Sequence, residues 1–232
     1  MNEISGYYGD LVQPYEVRRG IAEAVILSGF LKYMRKIITT TVLSLDGVMQ
    51  APGGSGEDPS NGFNYEGWQV GWNEEADNFV DTKIQANPFD LLLGRRTYDI
   101  FVGYWPQHKD EPRWGKRFNT AKKYVVSHNP LKLSWSNSLL ITGDVVEEIK
   151  KLKNSEGPDL LIYGSSNLIQ TLLKHNLIDR MHIQIFPITI GTGKKLFADG
   201  TQPEQLKLTD SKITSTGVIL TTYEPSGKLN KE

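Results

Sequence analysis

Leu91-Leu92-Leu93-Gly94-Arg95-Arg96-Thr97-Tyr98 is the stretch on which the fold turns. Phe89 to Leu93 forms a short apolar run, the pattern of a strand buried on both faces. Gly94 breaks the run and a helical stretch follows through Phe101. The same order of strand, turn and helix recurs twice. Ser138 to Thr142 leads to Asp144-Val-Val-Glu147, which has capping-box spacing for a helix carrying Val145, Ile149 and Leu152 inward. Leu160 to Tyr163 leads through Gly164-Ser165-Ser166 into a helix with Leu168, Ile169, Leu172 and Leu173 on one face. Lys123 to Ser127 reads as a further short strand.

Outward from this repeating unit the pattern changes in both directions. Ile37 to Leu45 is rich in β-branched residues and reads as the first strand. Gln50 to Gly71 contains six glycines and two prolines with no periodicity, a long loop of the kind that carries function. Apolar spacing through Ala76, Phe79, Val80 and Ile84, with Asn73 as N-cap, predicts a helix over 73–86. Near the other end, Arg180 to Ile190 alternates, and Leu206–Thr214 and Val218–Tyr223 flank the turn Ser215-Thr216-Gly217. That is the signature of an antiparallel hairpin. Alternating strands and helices followed by a hairpin predict an α/β fold: a mostly parallel central sheet, helices on both faces, and an antiparallel C-terminal hairpin at the edge.

The 232 residues suit one α/β domain, expected over 34–226, with residues 1–33 as a peripheral appendage and 227–232 as a tail. Lys and Arg number 26 against 27 Asp and Glu, so the global basic excess that favours nucleic acid is missing. Cysteine is absent, which removes disulfides, thiol nucleophiles and Cys-held metals together. No apolar run approaches the roughly 20 residues that cross a bilayer, and Glu3, Asp10 and Glu16 occupy the place of a basic signal-peptide region. A cytoplasmic protein with no membrane partner is expected.

Metal and triad hydrolysis find no support, because His108, His128, His175 and His182 show no metal-ligand spacing and no Gly-x-Ser-x-Gly elbow occurs. The strand ends point elsewhere. Gly94 to Thr97 combines a glycine turn, two guanidiniums and a hydroxyl at a helix start, and Gly164 to Leu168 places small residues at another. Val126-Ser127-His128-Asn129 could add a hydroxyl and an imidazole. Taken singly, each is more simply an ordinary helix cap; two on neighbouring strands suggest a bridged diphosphate.

Gly94-Arg95-Arg96-Thr97-Tyr98 resembles the Gly-Arg-x-Thr-aromatic turn of dihydrofolate reductases. The closer resemblance is to the reductase domains at the C-terminus of the bifunctional riboflavin-biosynthesis deaminase-reductase. It rests on Ser44-Leu-Asp46-Gly47, Leu177-Ile-Asp179 and Pro187-x-x-x-Gly191-x-Gly193-x-x-Leu196-Phe197, and covers about 34–224. The resemblance implies a dihydrofolate reductase-like three-layer fold and an NADPH-dependent reductase. It places Gly47 and Gly94 on the cofactor side and Arg95, Arg96, Ser127 and His128 at the adenosine 2′-phosphate. Thr97, Gly164, Ser165, Ser166, Asn167 and Leu168 fall at the pyrophosphate. It also points to a homodimer, for which the antiparallel edge offers an open strand.

Hydride transfer needs a proton donor beside the acceptor atom, and the candidate acids are Asp46 and Glu75, the latter four residues before Phe79. The 50–71 loop is the natural lid, with Phe63, Tyr65 and Trp68 available to stack on a planar substrate or to anchor the loop itself. The substrate is a small molecule, either a phosphoribosyl-aminouracil, a dihydropterin or another compound. Dihydrofolate reductase proper and a non-catalytic NADPH-binding module are the alternative readings.

Overall fold

The computed structural model describes residues 34–72, 74–84 and 86–229; the expected appendage, the N-cap Asn73 and residues 230–232 lie outside them. Eight strands form one sheet: β1 (Ile37–Ser44), β2 (Phe89–Gly94), β3 (Lys123–Val126), β4 (Ser138–Ile141), β5 (Asp159–Tyr163), β6 (Arg180–Phe186), β7 (Glu204–Ile213) and β8 (Ile219–Lys228). Their order is β4-β3-β2-β5-β1-β6-β8-β7. Pairs from β4 to β6 are all parallel, and β8 runs antiparallel to both β6 and β7. The mostly parallel sheet with an antiparallel C-terminal hairpin is therefore observed. The helices are α1 (Glu74–Ile84), α2 (Arg95–Tyr104), α3 (Gly115–Thr120), α4 (Val145–Lys153) and α5 (Ser166–Lys174).

Side chains alternate across a strand, so the leucine run of β2 serves two cores. Leu92 joins Leu160, Ile162 and Met181 beneath Ile149 of α4 and Ile169 and Leu172 of α5. Leu91 and Leu93 join Val125 and Leu161 beneath Val80 and Ile84 of α1, Tyr98 of α2 and Phe118 of α3. Leucine at three consecutive positions is needed because neither face of β2 meets water. Asp144 accepts from the amides of Val146 and Glu147 at 3.1 and 3.2 Å, the N-cap expected for α4.

Two expected boundaries shift. The strand expected over 180–190 ends at Phe186, because the backbone beyond it is taken by other partners: Ile190 and Gly191 donate to Asp46. The second hairpin strand, expected over Val218–Tyr223, continues to Lys228, since its pairing with β7 persists to Glu204↔Lys228.

The N-terminal ends of the parallel strands are tied by ions. Arg35 and Asp90 form a buried pair at 2.5 Å, and Arg35 Nε donates to Pro158 O. Asp179, the acid of the Leu-Ile-Asp motif, accepts from the Ile37 amide at 2.7 Å and pairs with Lys153. Its own amide donates to Ile37 O at 2.9 Å, so this motif fixes where β1 and β6 start.

Candidate active site

β2 and β5 are neighbours, so the turns that leave them lie side by side. Gly164 and Ser165 both adopt the left-handed region, with φ of 57° and 54°. For serine that conformation costs about 1 kcal/mol, and hydrogen bonds hold it in place. Ser165 N donates to Thr97 Oγ1 at 3.0 Å, and Ser165 Oγ accepts from Gly94 N at 3.0 Å. The first turn of α2 and the cap of α5 are thereby one unit. The hydroxyl of Ser165, expected at a pyrophosphate, is spent on joining the turns.

The remaining phosphate-side candidates are spread along the same sheet edge. Arg95 is half exposed and pairs with Asp99 one helical turn on. Arg96 reaches Asp58 of the long loop at 2.6 Å, and Lys194 reaches the same carboxylate at 2.5 Å. Ser127 is buried and donates to Asn129 O, while His128 is exposed. Ser166 is half-buried and Asn167 exposed at the start of α5, whereas Leu168 packs into the core and offers only its backbone.

Asp46 and Gly47 form a tight turn whose carboxylate accepts from Ser44 Oγ at 2.6 Å, Ile190 N at 3.0 Å and Gly191 N at 2.7 Å. The Ser44 hydroxyl and these amides lower the Asp46 pKa to about 2. These bonds close the turn at Ile190 and Gly191 onto the end of β1. Gly193, at φ 118°, lies in that turn where a Cβ would fall 2.8 Å from Val48 and 2.9 Å from Phe63. Glu75 is engaged elsewhere on the sheet. It sits on the hairpin turn, hydrogen-bonded to Ser215, whose hydroxyl is the main cause of its lowered pKa.

A cleft of about 560 Å³ opens where β1 and β5 meet, and neither Asp46 nor Glu75 lines it. Among the described residues its carboxylates are Asp77 on α1, Glu57 on the long loop and Glu111 ahead of α3, and its one cation is Arg113. Arg113 pairs with Asp77 and lies 3.9 Å from Asp81. Burial pushes the Asp77 carboxyl up from its ordinary value, against the pull of Arg113. Burial raises Glu57 as well. Thr40 of β1 and Tyr163 of β5, adjacent in register, present hydroxyl oxygens shielded from solvent with no hydrogen-bond partner. Burial, then Asp81 and Asp77, drives the Tyr163 pKa well up, which keeps the phenol neutral.

The aromatic wall comes from Phe101, Tyr104, Trp105, Trp114 and Phe118. Phe63, Tyr65 and Trp68, read as available to stack on substrate or to anchor the loop, do not line the cleft. Phe63 is buried against Val48 and Ala51, Trp68 donates from Nε1 to Gln50 O at 2.8 Å, and Tyr65 is exposed. The long loop instead contributes Pro52, Gly53, Glu57 and Gln69 to the lining. Sequence reasoning missed Asp77, Thr40, Tyr163 and this wall; the available signal was the density of aromatic residues between 101 and 118.

The model of the RibD C-terminal domain family matches residues 35–220, the stretch that holds both turns and the cleft. The chain belongs to the RibD C-terminal domain family. Among similar proteins, the Bacillus subtilis protein YyaP is 30% identical over 200 residues, spanning 83% of this chain and 96% of its own. A solved structure from Shewanella sp. PV-4, assigned to riboflavin biosynthesis, superposes with a TM-score of 0.58 at 22% identity, over 82% and 99% of the two chains. Dihydrofolate reductase from Enterococcus faecalis, solved with NADP(H), superposes with a TM-score of 0.53 at 15% identity, over 83% and 98%. These likenesses establish a dihydrofolate reductase-like fold.

Proposed function

We propose that the protein is an NADPH-dependent reductase that transfers hydride to a small heterocyclic substrate. One observation carries this reading: Thr97 and Gly164 belong both to the strand-end turns and to the wall of the cleft. A dinucleotide held on the turns therefore abuts a ring held in the cleft. Its phosphates fit the helix starts of α2 and α5, and Arg95 fits the 2′-phosphate, since an exposed ion pair such as Arg95–Asp99 is worth little and exchanges partners readily. When bound, NADPH supplies the hydride, and that chemistry is its own. The chain's residues position the acceptor between the aromatic wall and β1, exclude water beneath the rim of the long loop, and set the Asp77 carboxylate against the edge of the ring.

Titration with NADPH and with NADH, followed by tryptophan fluorescence, tests the reading. Preferred NADPH binding that is lost in the doubly substituted Arg95→Ala, Arg96→Ala protein supports it, and no binding of either nucleotide refutes it. Self-association through the edge strand β7, which leaves Leu208 and Ile213 exposed, is part of the proposal. Sedimentation that shows a monomer at every concentration rejects that part.

A further inference from the structure

We infer that the cleft selects an unphosphorylated planar ring, neutral or cationic, whose edge carries an N–H donor beside a carbonyl or ring-nitrogen acceptor. The inference rests on the reductase reading only in taking the cleft as the substrate site. Its first support is charge. The lining holds Glu57, Asp77 and Glu111 against Arg113 alone, and the guanidinium is already engaged by Asp77 and Asp81. Glu111 is committed to the amides of Trp114 and Gly115 at 2.6 and 3.0 Å, and Glu57 to Gly53 N at 2.6 Å. These bonds to neutral donors leave the negative charge in place. A substrate phosphate would enter an acid-lined space whose one cation among the described residues, Arg113, is already paired, and desolvation there strengthens the repulsion.

The second support is the floor. Thr40 is 3% exposed, and its hydroxyl, like that of Tyr163, has no hydrogen-bond partner among the described residues. Buried hydroxyls of this kind call for a ligand atom, because leaving them unmatched is costly. Both are neutral and able to donate, which suits an acceptor atom on the ring edge. Asp77 beside them accepts from an adjacent N–H. The flanking aromatic side chains, Trp105 and Trp114 among them, supply flat apolar surface for the ring.

The test uses cytosine, cytidine and cytidine 5′-monophosphate as probes against the full chain, with and without saturating NADPH, read by calorimetry and tryptophan quenching. Cytosine and cytidine are expected to bind comparably, and the monophosphate about tenfold more weakly or worse. Glu57→Gln and Asp77→Asn should each move the ratio of cytidine to monophosphate affinity toward one, a change that mere loss of packing does not produce. Glu57→Gln leaves the Asp77–Arg113 pair intact and so covers the case in which Asp77→Asn folds poorly. The inference is overturned if the monophosphate binds as well as cytidine, if no ring binds, or if neither substitution moves the ratio. If the ratio behaves as expected while NADPH fails to bind, the cleft assignment stands and the reductase reading falls.

Discussion

Thr97 Oγ1 accepts from the Ser165 amide at 3.0 Å, joining two helix starts that stand 68 residues apart in the chain. Through that bond, the geometry of one turn depends on the side chain of the other. Thr97→Val keeps the shape and removes the acceptor, leaving the Ser165 amide unmatched in a partly buried, left-handed position. A loss of about 1–2 kcal/mol is expected in urea denaturation, together with weaker NADPH binding by fluorescence titration. Unchanged NADPH affinity at reduced stability would separate the turn from the cofactor site.

Asp46 carries a pH signature. Its folded pKa of about 2 lies below that of an unfolded carboxyl, so its contribution to stability is complete above about pH 4 and is lost as pH falls through about 2. Asp46→Asn cannot accept from Ser44, Ile190 and Gly191 with the same charge, and should destabilise by about 1.5–3 kcal/mol at neutral pH. The gap between variant and wild type should close between pH 4 and 2 in acid denaturation; a gap independent of pH would contradict the assignment.

His182 on β6 gives a second pH test with the same sign, in a higher window. Buried at 3% exposure and hydrogen-bonded to Thr222 at 3.0 Å, it has its pKa lowered to about 4 by burial first, then by Arg180 and Lys83. The unfolded chain binds this proton from about pH 6.5 downward and the folded chain only near 4, so stability falls as pH drops through that window. The slope due to this residue is at most about 1.4 kcal/mol per pH unit. His182→Gln should remove it, as measured by urea midpoints across pH 7 to 4.

The buried Arg35–Asp90 pair predicts non-additivity. Arg35→Met strands Asp90 inside the protein and removes the donor to Pro158 O, an expected cost of about 3–5 kcal/mol. Adding Asp90→Leu should recover much of that loss, because the uncompensated charge goes with it. Summed effects of the two single substitutions in the double variant would show that the residues do not act as a pair.

What the sequence by itself determined is what local pattern encodes. Leu91 to Leu93 had to be a strand covered on both faces, Gly94 and Gly164 had to end their strands at helix starts, and Ser215-Thr216-Gly217 had to close an antiparallel hairpin. Side-chain periodicity, caps and turn residues act over a few positions, so they are readable without the rest of the chain. Only the tertiary structure decided which acid faces the cleft. Glu75 and Asp77 are two residues apart on α1, which turns them about 200° from each other. Packing of Ala76 and Phe79 against Phe186, and of Val80 against the β2 face, sends Glu75 to the hairpin and Asp77 to the cleft. Asp46 likewise reads as a free acid until the 190–191 turn, 144 and 145 residues later, folds back onto it. Such partners are set by long-range packing, which no local pattern specifies.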